Sequence, residues 1–418
     1  MTLKVQADRT LVRTTGRSVR YALLSFAAPD APRASARQPL SVAFVIDRSG
    51  SMGGSKINLA RDAVVQALKM LNASDRFAVV SYDEQVDVLV PSTLATSEAV
   101  RNAIIQVQHL QARGSTDLGG GWLKGCEQLA GFIDQQQIAR CLLLSDGLAN
   151  HGITEPGELA RHAAELRERG VTTSTIGLGV DFDERLLEGL SRAGAGHFYF
   201  VETPVQIPDC LTSELGEALQ VVARDAAVTV RAADGITVET LNRFSLDTNA
   251  DGQVSIRLGD LASRQEVSLV LRLTFPTGKE GEARRAVFGV TDAQNAINEP
   301  DAEIAWTFAD HRANDRQSRN AVVDLAVAQL YAAQAQAEAL ELNRAGRFEE
   351  AIARLERAAL RIEQYAGNDR LLRAVVVQLR ERHEVYAMPM SAMRSKSEHF
   401  ASANAASMRG SDGKARRR

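Results

Sequence analysis

The sequence predicts an α/β protein in which a doubly wound, mostly parallel sheet is inserted into an antiparallel β-sandwich and followed by a helical segment. Two observations predict this arrangement. Within residues 38–218, short apolar runs alternate with stretches of helical spacing, which is the pattern of a parallel sheet covered by helices on both faces. Residues 1–37 and 219–310 instead contain runs of alternating polarity separated by Gly, Asp and Asn turns, which is typical of antiparallel strands.

The composition is consistent with a globular chain of several domains. The chain has 418 residues, a hydrophobic content of 45% and a net charge of −3, so a sizeable core is expected and general nucleic-acid binding is not. The three cysteines match no metal motif or disulfide framework. We find no signal peptide and no uninterrupted apolar run of membrane length. We therefore expect a cytoplasmic protein without a membrane span.

The central region supplies the elements of the parallel sheet. The predicted buried strands cover residues 40–46, 77–82, 141–144, 173–178 and 197–201. The predicted helices between them cover residues 56–71, 97–111, 118–132, 156–169 and 184–192. Residues 86–90 follow the second strand across a short polar turn and are predicted to form an antiparallel edge strand.

The flanking regions are predicted to complete one another. A single strand pair is seldom stable alone, so residues 1–37 are expected to pair with the sandwich of residues 219–310. The run from Asp247 to Gly252 fits the first half of an EF-hand calcium loop, but Leu258 stands where a bidentate glutamate belongs. A hairpin loop is the favoured interpretation.

The C-terminal part is predicted to change character twice. Residues 311–387 show long apolar periodicity interrupted at Gly346, which favours a helical hairpin or bundle. Residues 388–418 are rich in Met, Ser, Ala and Arg and lack periodicity. We expect them to form a disordered basic tail, because they offer little apolar surface to bury.

A group of oxygen-bearing side chains at strand ends is the strongest functional signal. Asp47 ends the first apolar strand of the central region, and Ser49 and Ser51 follow it. A hydroxyl from residues 114–117 and Asp146, at the end of another apolar strand, complete the set. Hard oxygen ligands suit Mg²⁺, which prefers six oxygens at about 2.0–2.1 Å. The glycines at 119–121 are expected to let the second loop, residues 114–117, approach the metal closely.

These motifs resemble the von Willebrand factor A family, over roughly residues 38–215. Asp47, Ser49 and Ser51 match the DxSxS of its metal-ion-dependent adhesion site, Thr116 its second-loop threonine and Asp146 its third-loop aspartate. The resemblance, to the bacterial intracellular type, implies Mg²⁺ or Mn²⁺ held by these five residues. It also implies that Thr116 and Asp146 exchange direct and water-mediated roles on ligand binding. Asn150 and His151 are expected on the rim, where they tune specificity.

Three functions are compatible with these patterns. The first is a Mg²⁺-dependent protein-interaction module, a scaffold or assembly factor whose metal receives an Asp or Glu from a partner. The second makes the same module an adaptor of a MoxR-type AAA+ ATPase. The third is a metal-dependent hydrolase, which the sequence disfavours because it contains no HExxH, GxSxG or P-loop motif. We therefore expect a binding module rather than an enzyme.

Overall fold

The computed structural model describes residues 3–31, 38–132 and 138–417, and these form two compact units. Of the described residues, unit 1 comprises 3–30, 222–411 and 415–417, and unit 2 comprises 31, 38–132, 138–221 and 412–414. The predicted boundary between residues 37 and 38 falls where the described part of the chain resumes, and residue 37 itself lies outside it.

The first strands belong to unit 1 and the next six form the sheet of unit 2. The N-terminal strands are β1 (Lys4–Ala7), β2 (Leu11–Arg13) and β3 (Ser18–Ala27). The strands of unit 2 are β4 (Leu40–Asp47), β5 (Arg76–Tyr82), β6 (Val86–Leu94), β7 (Ile138–Ser145), β8 (Val171–Leu178) and β9 (Ala195–Val201). Its helices are α1 (Ser55–Met70), α2 (Ser97–Gln108), α3 (Leu118–Ala130), α4 (Pro156–Glu168), α5 (Glu184–Ala193) and α6 (Ile207–Ala218).

The sheet of unit 2 is doubly wound, as predicted. Its strand order is β6-β5-β4-β7-β8-β9, with all neighbours parallel except the antiparallel edge pair β5 and β6. One face of the sheet packs against α1, α2 and α6, whereas α3 packs against the other. The chain runs outward from β4 through β5 to β6 and then returns to the opposite side of β4 at β7. The strand order therefore reverses between β4 and β7, which is where ligands collect in sheets of this kind.

The sandwich of unit 1 also matches the prediction. Its remaining strands are β10 (Val221–Ala232), β11 (Thr237–Thr240), β12 (Ser245–Thr248), β13 (Val254–Ala262), β14 (Glu266–Phe275), β15 (Ala283–Thr291) and β16 (Ala302–Ala309). One sheet has the order β1-β3-β14-β11 and the other β12-β13-β10-β15-β16-β2. The N-terminal strands thus complete both sheets, and apolar side chains from both form one core.

The segment that resembles a calcium loop is the turn of a hairpin. Strands β12 and β13 pair in antiparallel fashion on either side of it. The Asn249 side chain accepts hydrogen bonds from the backbone N–H groups of Asp251 at 3.1 Å and Gln253 at 2.9 Å. The turn therefore satisfies its own polar groups, and the hairpin interpretation is confirmed.

The C-terminal helices belong to unit 1. They are α7 (His311–Arg316), α8 (Ala321–Arg344), α9 (Phe348–Ala366), α10 (Arg370–Glu381), α11 (His383–Tyr386) and α12 (Ala392–Ala406). Val323, Val327 and Leu330 of α8 pack against Tyr21 and Val270 of the sandwich. Other α8 residues share a second apolar core with α9 and α10.

The predicted disorder of residues 388–418 is wrong for the described part, which ends at residue 417. Residues 392–406 form α12, in which Phe400, Ala403 and Ala406 are buried. Its charged groups are paired as well, since Glu398 accepts hydrogen bonds from Arg382 and pairs with Arg394. Small residues let this helix pack closely, so a composition poor in large apolar residues still forms a buried surface.

Candidate metal centre

The candidate metal centre lies at the carboxyl ends of β4 and β7, at the point where the strand order reverses. Asp47 is the last residue of β4, and Asp146 follows Ser145, the last residue of β7. Both carboxylates are 0% exposed. Two buried negative charges need hydrogen-bond donors or a cation nearby.

Asp47 is held by two close donors, and a third hydroxyl lies nearby. Its Oδ1 accepts the backbone N–H of Ser49 at 2.8 Å, and its Oδ2 accepts the Ser145 hydroxyl at 2.8 Å. The Tyr82 hydroxyl lies 3.5 Å from the same Oδ2. Burial raises the pKa of the Asp47 carboxyl to about 6, although the hydrogen bonds from Ser49 and Ser145 oppose this shift.

Two hydroxyls join the first loop, residues 47–51, to Asp146. The Ser49 and Ser51 Oγ atoms lie 3.1 Å apart, and the Ser51 hydroxyl donates to Asp146 Oδ1 at 2.7 Å. Ser49 is buried, whereas Ser51 is exposed. The group of oxygens is therefore closed on the side of Asp47 and open to solvent on the side of Ser51.

Thr116 reaches the same place from the second loop. It is buried, and a Cβ built on Gly147 would lie 3.4 Å from the Thr116 Oγ1 and 3.8 Å from the Ser51 Oγ. Both hydroxyls thus border the space that a side chain at residue 147 would fill. The structure brings Asp47, Ser49, Ser51, Thr116 and Asp146 together, the five residues selected from the sequence.

Asn150 and His151, predicted on the rim, are both exposed. Asn150 has a specific contact, because its Oδ1 accepts the backbone N–H of Thr116 at 3.1 Å and its own N–H donates to the Thr116 carbonyl at 3.4 Å. The third loop therefore braces the second through Asn150, in addition to any contact this residue makes with a ligand.

A charged network fixes the first and second loops to the turn after β5. The Asp83 carboxylate accepts hydrogen bonds from Arg48 Nε at 2.9 Å and from Arg113 Nε at 2.7 Å. The backbone N–H of Arg113 donates to the Arg48 carbonyl at 2.7 Å, and that of Asp117 donates to the Asp83 carbonyl at 2.7 Å. Burial acts to raise the pKa of Asp83, but the hydrogen bonds from Arg113 and Arg48 outweigh it and lower this pKa.

Glycines in α3 bring that helix close to the sheet. A Cβ at Gly121 would lie 2.4 Å from the Tyr82 ring, and one at Gly125 would lie 2.3 Å from Val45. A Cβ at Gly119 would lie 2.9 Å from the Ile153 carbonyl of the third loop. We predicted that glycines 119–121 admit the second loop to the metal. The structure shows that Gly121 admits Tyr82 of β5 and that Gly119 admits the third loop to α3, and the expectation about the metal stays a prediction.

Three further residues of the centre were not predicted from the sequence. Ser145 and Tyr82 orient Asp47, and the Lys56 ammonium of α1 contacts Asp146 Oδ2. A signal for Lys56 was present, because a cation in the first turn of a helix opposes the helix dipole and needs another partner. Ser145 was marked by its position, as a hydroxyl that ends an apolar strand directly before Asp146.

The donor set fits a hard divalent cation. The five side chains present only oxygen, from two carboxylates and three hydroxyls, and this is the ligand chemistry of Mg²⁺ and Mn²⁺. Asp47, Ser49 and Ser51 come from the first loop, Thr116 from the second and Asp146 from the third.

A second cluster, His197, Glu214 and Glu217, has a different character. The Glu214 Oε1 accepts hydrogen bonds from Arg140 and from Ser174, both at 2.6 Å, and its Oε2 lies 2.7 Å from the Tyr199 hydroxyl and 2.8 Å from His197 Nδ1. The Arg140 guanidinium already balances the negative charge of the buried Glu214 carboxylate. We interpret this cluster as a structural polar network.

Residues 41–213 match the family model of the von Willebrand factor type A domain. The chain therefore carries a domain of this class, in agreement with its doubly wound sheet. In the described part of the chain, no helix combines the length and the apolar character that crossing a membrane requires.

Curated relatives resemble the chain in sequence. It is 28% identical to the uncharacterized protein YfbK of Escherichia coli over 273 residues, which cover 64% of this chain and 47% of that protein. It is 28% identical to human inter-alpha-trypsin inhibitor heavy chain H4 over 172 residues, 40% of this chain and 18% of that protein. The chain thus spans about half the length of YfbK and less than a fifth of the length of the inhibitor heavy chain.

Two solved structures share the fold over nearly the whole chain. A von Willebrand factor type A protein from Catenulispora acidiphila superposes with a TM-score of 0.68 and 19% identity, covering 93% of this chain and 97% of that one. The ArnB paralog VWA2 from Sulfolobus acidocaldarius gives a TM-score of 0.60 and 18% identity, covering 98% and 99%. Both therefore resemble the sandwich and the helices as well as the central domain.

Proposed function

We propose that this protein is a Mg²⁺-dependent protein-interaction module that acts as a scaffold or assembly factor. In this proposal Asp47, Ser49, Ser51, Thr116 and Asp146 hold one Mg²⁺, or Mn²⁺ in its place. A partner protein presents an Asp or Glu side chain to the ion. The observation that carries the proposal is the convergence of five oxygen-bearing side chains at the switch point, where the strand order reverses between β4 and β7. This group is open to solvent at Ser51.

The low charge of the ligand set supports binding of an acidic group. Three of the five side chains are neutral hydroxyls, so a divalent ion among them keeps much of its positive charge. A carboxylate from a partner then gains a strong, charge-assisted contact where water would otherwise bind. The hydrogen bonds that fix Asp47 and Thr116 hold the ligands in place before the partner arrives, which lowers the entropic cost of association.

The same geometry favours binding over catalysis. Hydrolysis at a metal needs a base or a positioned nucleophile beside the ion. Asp47 and Asp146 are already bound to Ser49, Ser145, Ser51 and Lys56. Phosphoester and peptide substrates test this part of the proposal. Turnover that disappears in Asp47→Ala would contradict a purely binding role.

Affinity capture from the native cell tests the proposal as a whole. The wild-type chain should retain a partner in MgCl₂ and release it in EDTA, and Asp47→Ala should fail to retain it. Asp62→Ala, which changes an exposed carboxylate on α1, is the matched control and should behave as wild type. A partner that stays bound in EDTA and in Asp47→Ala would contradict metal-dependent recognition.

A further inference from the structure

Lys56 occupies an unusual position for a basic residue. It is the second residue of α1, whose first turn contains no acidic side chain and whose N-cap, Gly54, provides no side-chain hydrogen bond. The N-terminus of a helix carries partial positive charge, so a cation there is disfavoured. The ammonium must therefore be stabilised by another group, and the structure shows that this group is Asp146.

The two oxygens of Asp146 have separate partners. Its Oδ1 accepts the Ser51 hydroxyl, on the side where the candidate ligands converge, and its Oδ2 contacts the Lys56 ammonium. Asp146 is 0% exposed, and the Lys56 side chain is 24% exposed. The lysine thus covers the carboxylate and still reaches solvent with part of its length.

Lys56 also balances the negative charge of the buried carboxylates. Among the described residues that bond to Asp47 or Asp146, it is the one with a positive charge; the others are Ser49, Ser51, Tyr82 and Ser145. Arg48 is near in sequence, but its guanidinium is directed to Asp83 and Asp87.

We propose that Lys56 is a built-in counter-charge that sets the affinity of the centre for its divalent ion. The inference rests on the metal site of the proposed function. Lys56 stabilises the pair of buried carboxylates when they stand alone, and it repels a divalent ion that shares Asp146 with it. The centre therefore binds its ion more weakly than its ligand set alone would. With the ion bound, two carboxylates, one ammonium and a divalent cation leave a net positive charge that favours an acidic ligand.

Calorimetric titration of MgCl₂ into the full chain tests this inference. Lys56→Met, which keeps the length of the side chain and removes the charge, should bind Mg²⁺ about tenfold more tightly than wild type. Lys56→Arg keeps the charge and should stay within about twofold of wild type. Lys69→Met, on the exposed face of the same helix, is the matched control and should leave the affinity unchanged.

Melting curves give a second readout that does not depend on metal affinity. In EDTA, Lys56→Met should melt at a lower temperature than wild type, because the two buried carboxylates then lack their counter-charge. If wild type binds Mg²⁺ and Lys56→Met binds it equally or more weakly, the proposed role of Lys56 is overturned, but the proposed function is not. If wild type binds no Mg²⁺, the proposed function fails and this inference fails with it.

Discussion

At the scale of single residues, the centre combines buried carboxylates with neutral hydroxyls. Asp47 and Asp146 supply the formal charge, and Ser49, Ser51 and Thr116 supply neutral oxygens. Asp47 is fixed by the backbone of Ser49 and by the Ser145 hydroxyl. The charged and the neutral side chains of the centre therefore lead to different expectations when each is replaced.

Thr116→Ala should weaken the complex with a partner much more than it weakens metal binding. The proposed ion keeps four other ligands, but the arriving carboxylate needs the ion to be fully and firmly coordinated. Loss of a ligand in a desolvated site should cost on the order of 2–4 kcal/mol of complex affinity. Calorimetry with Mg²⁺ alone and then with the partner separates the two effects. Equal losses in both titrations would contradict a special role of Thr116 in partner binding.

The pKa of Asp47 predicts how the metal-free protein depends on pH. Its folded-state pKa, about 6, lies above the ordinary value of 3.8, so the folded state prefers the protonated form. Ionising Asp47 therefore removes stability as pH rises from about 4 through 6, by on the order of 3 kcal/mol in total.

Denaturation in EDTA measures this effect against Asp47→Asn, which mimics the protonated form. The variant should be more stable than wild type above pH 6, and the difference should vanish towards pH 4. A difference that does not change with pH would show that Asp47 does not titrate in this range.

The five candidate ligands could be selected from the sequence because each lies close to the end of a recognisable strand or the start of a recognisable helix. Tyr82 and Ser145 could not be assigned in the same way. Their roles depend on which strand lies beside which, since Tyr82 ends β5 and Ser145 ends β7, on opposite sides of Asp47. Short motifs record neighbours along the chain, whereas these contacts are made across the sheet.

At the scale of elements, the candidate ligands lie at the end of β4 and in the turns and loops near the strand ends. The charged network around Asp83 ties the first loop to the second, and Asn150 ties the second to the third. Supporting contacts of this kind orient metal ligands and contribute to affinity without touching the ion.

Asp83→Asn should therefore weaken Mg²⁺ binding, although Asp83 is not one of the five candidate ligands. It leaves the buried Arg48 with a weaker partner, which should lower the free energy of unfolding by about 3 kcal/mol. It should also weaken Mg²⁺ binding about tenfold. Asp87→Asn is the matched control, because Asp87 contacts the same Arg48 but is 48% exposed, and it should cost less than about 1 kcal/mol. Similar effects of both changes would contradict the bracing role of Asp83.

The helix α12 shows what composition alone misses. Ser and Ala dominate residues 392–406, and Phe400 is the one aromatic residue of that stretch. The helix is nonetheless anchored, because Arg344 Nε of α8 donates to the Ser395 hydroxyl at 2.9 Å and Asn242 Nδ2 donates to the Ala406 carbonyl at 3.3 Å. The partners are more than 50 and 160 residues away, so no local pattern could have predicted them.

Limited trypsin digestion should reflect this anchoring. Lys396 and Arg409 are each 7% exposed, so cleavage after them should be slow in wild type. Phe400→Ala creates a cavity under the helix, at a cost of about 3–5 kcal/mol, and should make both sites sensitive. Ala401→Ser, at an exposed position of the same helix, is the control. Rapid cleavage after Lys396 in wild type would show that α12 is not held as described.

At the scale of the whole molecule, the order of units along the chain follows from strand pairing. Strand β3 is paired on one side with β1 and on the other with β14, so the first strands need residues far along the sequence. The insertion could be predicted because isolated strands do not persist in water. The parallel pairing of β2 with β16 could not, since it depends on the return of the chain to the same sheet.

Crystals grown with MnCl₂ would show where a divalent ion binds this protein, because Mn²⁺ reveals its own position by anomalous scattering. We expect one strong anomalous peak bordered by Asp47, Ser49, Ser51, Thr116 and Asp146, and no such peak in Asp47→Ala. A peak at His197, Glu214 and Glu217, with none at the switch point, would contradict this expectation. So would a well-ordered wild-type crystal with no anomalous peak at either cluster.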